Sequence, residues 1–177
     1  MPFNHSLVIR VCPTPLGQLT LAASPHGLAG AWFEDQQHRP PALCGTGKVA
    51  WPSSPAHPVL REAARQLDAY FSGALKTFDL PLDLSDGTDF QRAVWQALLP
   101  LPRGHTCTYG ELSEYIGRPS AVRATGGAIG RNPLSVIVPC HRVIGQGGAL
   151  TGYAGGLVRK RALLQLEGAL PTLPLQA

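Results

Sequence analysis

The sequence lacks any long run of apolar residues, and this excludes a helix that crosses a membrane. Its longest stretch without charged residues, 11–33, is interrupted by three prolines and by polar side chains, whereas a membrane-spanning helix needs about 20 consecutive, mostly apolar residues. The N-terminus has no positively charged segment that leads into an apolar one, so no secretion signal is expected. We therefore predict a cytoplasmic protein that makes no membrane contact.

Closely spaced cysteines are missing as well. The four cysteines, at positions 12, 44, 107 and 140, form no Cys-x-x-Cys pair. This predicts reduced thiols in an intracellular protein. The Gly-x-x-x-x-Gly-Lys-Ser/Thr pattern of a phosphate-binding loop is also absent.

Charged residues make up only 15% of the 177 residues, against 44% hydrophobic residues, which is typical of a globular protein. The charge is unevenly distributed. Residues 1–89 contain six Lys and Arg and eight Asp and Glu, whereas residues 90–177 contain nine and three. Eight of those nine cations are arginine, which suits phosphate binding. The basic half indicates either a nucleic-acid surface or an ordinary solvated face.

The first half of the sequence predicts a small sheet and one helix. Strands are expected over residues 7–11, 18–23 and 28–33, and a helix over 60–71 that follows a loop rich in Pro, Gly and Ser. A short strand is expected near 77–80. A turn over 83–87 then marks a domain boundary.

The second half is predicted to be mainly helical. Thr88 and Gln91 form a capping-box pattern at the start of a helix that ends before Pro100. A short helix is expected over 109–116, and a third from a Ser120 cap to about residue 130. Two short helices joined by a tight turn fit a helix-turn-helix, although such pairs also occur in ordinary helical cores.

The third predicted helix contains two adjacent glycines, Gly126 and Gly127. Each costs about 1 kcal/mol relative to alanine in a helix interior, so a close approach of some other surface is expected. A bare face could enter a nucleic-acid groove and insert Arg123, or it could pack on a neighbouring helix. The residue types leave both possibilities open.

Cys140 lies in the pentapeptide Val-Pro-Cys-His-Arg, after an apolar run over 132–138 that should be buried and extended. A cysteine thiolate is a strong nucleophile whose pKa depends on its neighbours. Because adjacent residues of an extended chain point to opposite sides, a water should relay the proton between Cys140 and His141. This pair alone leaves open a purely structural role for Cys140.

An imidazole that acts as a base needs a group that orients it, and a carboxylate is the usual choice. The candidates are Glu167, Glu111 and Glu114. Residues 145–156 contain six glycines and predict a loop that can close over a flat ligand. The last helix, 157–166, is expected to carry its three cations, residues 159–161, on the outside.

These motifs together resemble the O6-alkylguanine-DNA alkyltransferases, or methylated-DNA–protein-cysteine methyltransferases. The resemblance rests on residues 109–112, 123–127, 132–133, 139–145, 151–156 and 166–168. It covers about residues 88–168 closely and residues 16–21 and 27–28 loosely. It implies an α+β fold: a small N-terminal antiparallel sheet plus helix, ribonuclease H-like, joined to a mainly α C-terminal domain with a helix-turn-helix. We place an N-terminal α/β support domain at 1–86 and a catalytic and DNA-binding domain at 87–177.

The resemblance also implies residue roles. The catalytic set comprises the nucleophile, its base, the carboxylate that orients the base, a bracing amide and a hydroxyl beside the guanine: Cys140, His141, Glu167, Asn132 and Tyr109. The substrate-binding set forms the pocket wall and reads the guanine edge, partly through the backbone: Val143, Tyr153, Ala154, Gly155 and Lys160. The DNA-binding set lies on and beside the third helix: Arg123, Ala124, Thr125, Gly126, Gly127, Ala128 and Arg131.

The implied activity is that of a suicide DNA repair protein acting on double-stranded DNA. It would take the alkyl group from O6-alkylguanine irreversibly onto its own cysteine, with O4-alkylthymine left open as a second substrate. The helix would enter the minor groove, and Arg123 would fill the gap left by the flipped nucleotide. The protein should be a monomer in solution.

No soluble cofactor is implied. Ser24 and Ala29 stand where some relatives place zinc ligands, so no metal is expected. Two alternatives are a non-catalytic alkyl-lesion-binding protein and a regulatory DNA-binding protein. The retained Cys140 argues against the first, and the missing N-terminal metal-cysteine module argues against the second.

Overall fold

A computed structural model describes residues 7–44 and 50–171 of the chain. The N-terminal segment in which no secretion signal was expected, 1–6, and part of the predicted loop, 45–49, lie outside the described residues. So does the end of the chain, 172–177.

The three predicted strands form one antiparallel sheet, in the order β1 (Val8–Thr14), β2 (Gly17–Ser24) and β3 (Gly27–Phe33). The first strand continues past its predicted end and includes Pro13, which pairs with Gln18. An edge strand tolerates proline because one side of its backbone needs no ladder partner. Helix α1 (Pro58–Phe71) packs its apolar face against all three strands.

The short strand predicted near 77–80 is wrong. The chain instead makes a single β-bridge just after this range, between Leu82 and Leu28 of β3. Leu28 N–H donates to Pro81 O (2.7 Å), and Asp83 N–H donates to Leu28 O (2.8 Å). Pro81 has no N–H and cannot extend a ladder. Further along the same edge of β3, Ala31 bridges Leu134, so the second half of the chain is attached directly to the sheet.

The predicted helices of the second half are present. Helix α2 (Asp89–Leu98) begins with the predicted capping box, in which Gln91 N–H donates to Thr88 Oγ1 (3.2 Å). Helix α3 (Tyr109–Tyr115) has a second capping box, from Thr108 and Glu111, that the sequence analysis missed. The last helix, α5, spans Leu157–Leu166.

Helix α4 (Val122–Gly130) follows a 3-10 turn, Pro119–Ala121, so Ser120 does not cap it as predicted. Two buried hydrogen bonds hold the helix in place: Trp95 Nε1 donates to Ala128 O (2.9 Å), and the hydroxyls of Ser113 and Thr125 are hydrogen-bonded to each other (2.9 Å). A two-residue parallel pair, β4 (Cys107–Thr108) with β5 (Val143–Ile144), was not predicted. The observed architecture is the α+β arrangement that the sequence implied.

Candidate active site

The turn before Cys140 is built around the side chain of Asn132. Its Oδ1 accepts from Leu134 N–H (2.9 Å), and its Nδ2 donates to Val138 O (2.9 Å) and to Cys140 Sγ (3.0 Å). A single buried amide therefore braces both ends of the turn and holds the thiol.

The apolar run over 132–138 is buried as predicted, but the prediction that it is extended is wrong. It folds as a turn in which Val136 has a φ of 73°. A β-branched residue in this left-handed region is strained, by on the order of 1–3 kcal/mol. The Asn132 hydrogen bonds hold the strained turn in place.

Cys140 begins a 3-10 turn, Cys140–Arg142, so the alternation of an extended chain does not apply to it and His141. The thiol is hydrogen-bonded to Asn132. Within the described part of the chain, His141 Nδ1 is buried and has no hydrogen-bond partner.

Glu167, at the end of α5, is the carboxylate that orients His141. Its Oε1 accepts from His141 Nε2 (2.8 Å), from Tyr70 O–H (2.6 Å) and from Arg142 Nη2 (2.8 Å), while its Oε2 accepts from Arg142 Nε (2.8 Å). The other two candidates lie elsewhere, since Glu111 caps α3 and Glu114 is exposed. A buried four-residue network thus joins α1, the Cys140 turn and α5.

The network sets the protonation states. Although burial opposes it, hydrogen bonds from Arg142 and His141 lower the pKa of Glu167, which is therefore ionised. Burial lowers the pKa of His141 below 6.5, so its imidazole is neutral near pH 7. A neutral imidazole that donates Nε2–H to a carboxylate leaves Nδ1 as the basic nitrogen.

Burial also raises the pKa of the Cys140 thiol, to about 11, despite the opposing hydrogen bond from Asn132. The resting thiol is therefore protonated at neutral pH. Sulfur becomes a strong nucleophile only as this proton leaves, and His141 Nδ1 is the nearby base that is not already engaged.

Cys140 opens into a cavity of about 120 Å³. The described residues that line it are Gln37, Tyr109, Gly126, Ile129, Gly130, Cys140, Gly152, Tyr153 and Ala154. Tyr109 O–H donates to Thr151 O (3.1 Å), and burial raises its pKa. Five predicted site residues thus meet in one cavity: Cys140, Tyr109, Tyr153, Ala154 and Gly126.

Gly155 lies beneath the cavity wall. A Cβ added there would stand 2.7 Å from the Tyr153 ring, so only glycine lets the ring lie flat against this backbone. Gly155 thus supports Tyr153, and its place in the substrate-binding set stays a prediction. The main chain of Val143 is likewise engaged, since its N–H donates to Cys140 O and its carbonyl accepts from Lys160.

Lys160 was predicted to lie on the outer face of α5. In the structure it is buried. Its Nζ donates to the carbonyls of Val143 (2.5 Å), Thr151 (2.7 Å) and Gly152 (3.1 Å). Burial lowers its pKa to about 8. All three N–H donors are used, so Lys160 holds the glycine-rich loop rather than lining the cavity, and Nζ is 6.0 Å from the centroid of the Tyr109 ring.

The predicted DNA-binding residues divide into three groups. Arg123, Ala124 and Arg131 are exposed, Gly126 and Gly127 are half-buried, and Thr125 and Ala128 are buried against α3 and α2. The side chains of Thr125 and Ala128 pack the helix onto its neighbours, and the assignment of these two residues to the DNA-binding set stays a prediction. Arg131 lines a separate surface pocket, away from Cys140.

Internal packing does not require the glycine pair of α4. A Cβ at Gly126 would come no closer than 3.7 Å to the Tyr109 ring, and one at Gly127 no closer than 3.8 Å to Arg131 Nη1. Both are ordinary contacts. Of the two explanations for the bare helix, the close approach of an outside surface fits this geometry better.

The predicted sets missed two residues of the buried network, Tyr70 and Arg142. They also missed four residues that line the cavity: Gln37, Ile129, Gly130 and Gly152. Arg142 could have been noticed as part of the pentapeptide. Tyr70 lies 97 residues from Glu167 and carries no local signal. In the described ranges there is no metal-binding cluster of three or more His, Cys, Asp or Glu, and no helix long and apolar enough to cross a membrane.

Two family models match the chain. The ribonuclease-like domain of 6-O-methylguanine DNA methyltransferase matches residues 7–84, and the DNA binding domain of 6-O-methylguanine DNA methyltransferase matches residues 89–169. Methylated-DNA–protein-cysteine methyltransferases of Mycobacterium tuberculosis and Methanosarcina acetivorans are each 48% identical over 158 residues. The first alignment covers 89% of this chain and 90% of the relative, and the second covers 88% and 95%.

The crystal structure of Mycobacterium tuberculosis OGT in complex with DNA superposes with a TM-score of 0.81 at 46% identity, covering 92% of this chain and 93% of that one. The fold and the thiol site thus define a class, the DNA repair alkyltransferases. Within it, the chain belongs to the 6-O-methylguanine DNA methyltransferase family, which confirms the resemblance drawn from the sequence motifs.

Proposed function

We propose that the chain removes the alkyl group from O6-alkylguanine in double-stranded DNA by a single irreversible transfer to Cys140. The observation that carries this proposal is the position of a protonated, buried thiol in a small cavity, next to a neutral His141 that is oriented by an ionised Glu167. This arrangement supplies a nucleophile and its base without a cofactor.

In the proposed step, the Cys140 proton passes through a water to His141 Nδ1 while sulfur attacks the alkyl carbon. The S–C bond forms as the C–O6 bond breaks, and the electron pair stays on the guanine. The guanine anion then takes up a proton and leaves as neutral guanine, and the thioether remains on the protein. Tyr109 can stabilise the departing base if its hydroxyl exchanges Thr151 O for the guanine.

DNA binding is proposed for the exposed face of α4. The second half of the chain carries the excess of arginine, and the glycine pair permits close approach to a groove. We propose minor-groove contact by a monomer, through a helix-turn-helix formed by α3 and α4. The target nucleotide would flip into the cavity, at a cost of a few kcal/mol. The proposed domain boundary at 86/87 falls between the two matched ranges.

Incubation with a large excess of a duplex that contains O6-methylguanine tests the function. We expect each chain to restore one guanine and then to stop, since a thioether resists hydrolysis. Cys140→Ser should restore none. Continued turnover by the wild type would contradict the proposal, and full activity of C140S would assign the chemistry to another residue.

Arg123→Ala should impair repair in a duplex more than reaction with free O6-benzylguanine. The exposed guanidinium of Arg123 can fill the gap that the flipped nucleotide leaves between stacked bases. Free O6-benzylguanine is not stacked in DNA, so its reaction does not need this. We expect a loss of about tenfold or more in duplex repair, which corresponds to about 1.4 kcal/mol or more, a part of the few kcal/mol that flipping costs. Arg61→Ala, which removes an exposed arginine of α1 outside the proposed helix-turn-helix, is the control. Equal losses on both substrates would count against base flipping.

A further inference from the structure

One side chain of the first half of the chain reaches the cavity at Cys140. Gln37 lies in the loop after β3, and among the described lining residues it is the one with an exposed side chain, since exposed Gly152 has none. Its carboxamide has no hydrogen-bond partner within residues 7–44 and 50–171.

The backbone of Gln37 is nevertheless fixed. Its N–H donates to Ala154 O (2.9 Å) in the glycine-rich loop. The two preceding residues are fixed as well, because Gln36 Oε1 accepts from Ser135 Oγ (2.8 Å) and Asp35 pairs with Arg159 (2.7 Å). The segment is held at three points, and the Gln37 side chain is the part that can move.

The other large side chains of the cavity cannot move so easily. Tyr109 is hydrogen-bonded to Thr151 O, and the Tyr153 ring lies against Gly155. Ile129 is buried in the core. The volume of about 120 Å³ is below the roughly 150 Å³ of an apolar cavity that holds one benzene ring. A guanine with a bulky alkyl group therefore requires a wall to open.

We propose that Gln37 is a specificity-determining residue that limits the size of the alkyl group accepted at Cys140. The inference rests on the proposed function and extends it, because it assigns part of the substrate pocket to the first half of the chain. The guanine ring itself needs more room than the cavity of about 120 Å³ provides, and a larger alkyl group pushes the Gln37 side chain further toward solvent. A benzyl group is therefore opposed more strongly than a methyl group.

The test compares O6-methylguanine and O6-benzylguanine in the same duplex, so that only the alkyl group differs. Q37A should raise the benzyl-to-methyl ratio of rate constants by about tenfold, and Q37W should lower it by about tenfold, as expected when pocket volume changes. The backbone hydrogen bond to Ala154 survives in both variants. Gln96→Trp, on the exposed side of α2, is the matched control and should keep the wild-type ratio.

An unchanged ratio in Q37A and Q37W would overturn the assignment, as would the same shift in Q96W. If Q37W fails to fold, Q37A alone decides, because it removes bulk from an exposed side chain. Failure of the proposed function would look different, since the wild type would then accept no methyl group from the duplex at all.

Discussion

Replacing Glu167 with glutamine is expected to lower the free energy of unfolding by about 3–5 kcal/mol, because it leaves Arg142 as a buried, unpaired cation. Arg142 is 6% exposed, and its Nε and Nη2 both donate to the Glu167 carboxylate. For a chain of this size, each kcal/mol lowers the melting temperature by about 2–4 °C. Thermal and denaturant unfolding measure the loss.

Glu114→Gln is the matched control, because it makes the same change on an exposed glutamate. It should leave the melting temperature nearly unchanged. An equally small effect of E167Q would contradict the network, since the buried cation would then have found another partner.

The E167Q effect should also depend on pH. The pKa of Glu167 is lowered in the folded protein from its ordinary 4.5, so the carboxylate stabilises the fold fully above that value and loses its contribution as the pH falls. The stability gap between wild type and E167Q should therefore narrow in acid. A gap that widens below pH 4.5 would reverse the sign and contradict the assignment.

Replacing His141 with glutamine is expected to slow alkyl transfer near pH 7 by about 10²–10⁴-fold, the usual contribution of a general base. The buried thiol, with a pKa of about 11, forms almost no thiolate by itself at that pH. As the pH rises toward 11, hydroxide replaces the missing base, and the deficit should shrink.

Single-turnover rates measured from pH 6 to pH 10 test this expectation, within the range in which the folded state is verified by circular dichroism. His105→Gln, an exposed histidine, is the control. A deficit that is the same at every pH would mean that His141 supports the site in another way. No deficit at pH 7 would remove it from the mechanism.

Local signals in the sequence predicted local structure well. Thr88 and Gln91 cap α2 because their bonds span three residues, and alternating apolar residues correctly placed the three strands. Contacts between distant segments explain the errors. The chain near 77–80 forms no strand, because the edge of β3 takes single bridges from residues 82 and 134 instead.

The candidate site was predicted only in part, because local motifs reveal some of its residues and contacts between distant segments supply the others. Cys140, His141 and Glu167 came from motifs, and the structure brings them together. Lys160 was assigned to solvent by its charge, whereas three carbonyls from two separate segments make its burial possible. Tyr70 and Gln37 enter the site only through the packing of the sheet and α1 on the second half of the chain, which no short motif encodes.

Tandem mass spectrometry of the protein after one reaction with a duplex that carries an isotopically labelled O6-methyl group tests the central claim most directly. The account predicts one labelled methyl group per chain, as a thioether on the peptide that contains Cys140. Label on Cys12, Cys44 or Cys107, or a repaired duplex with no label on the protein, would contradict it.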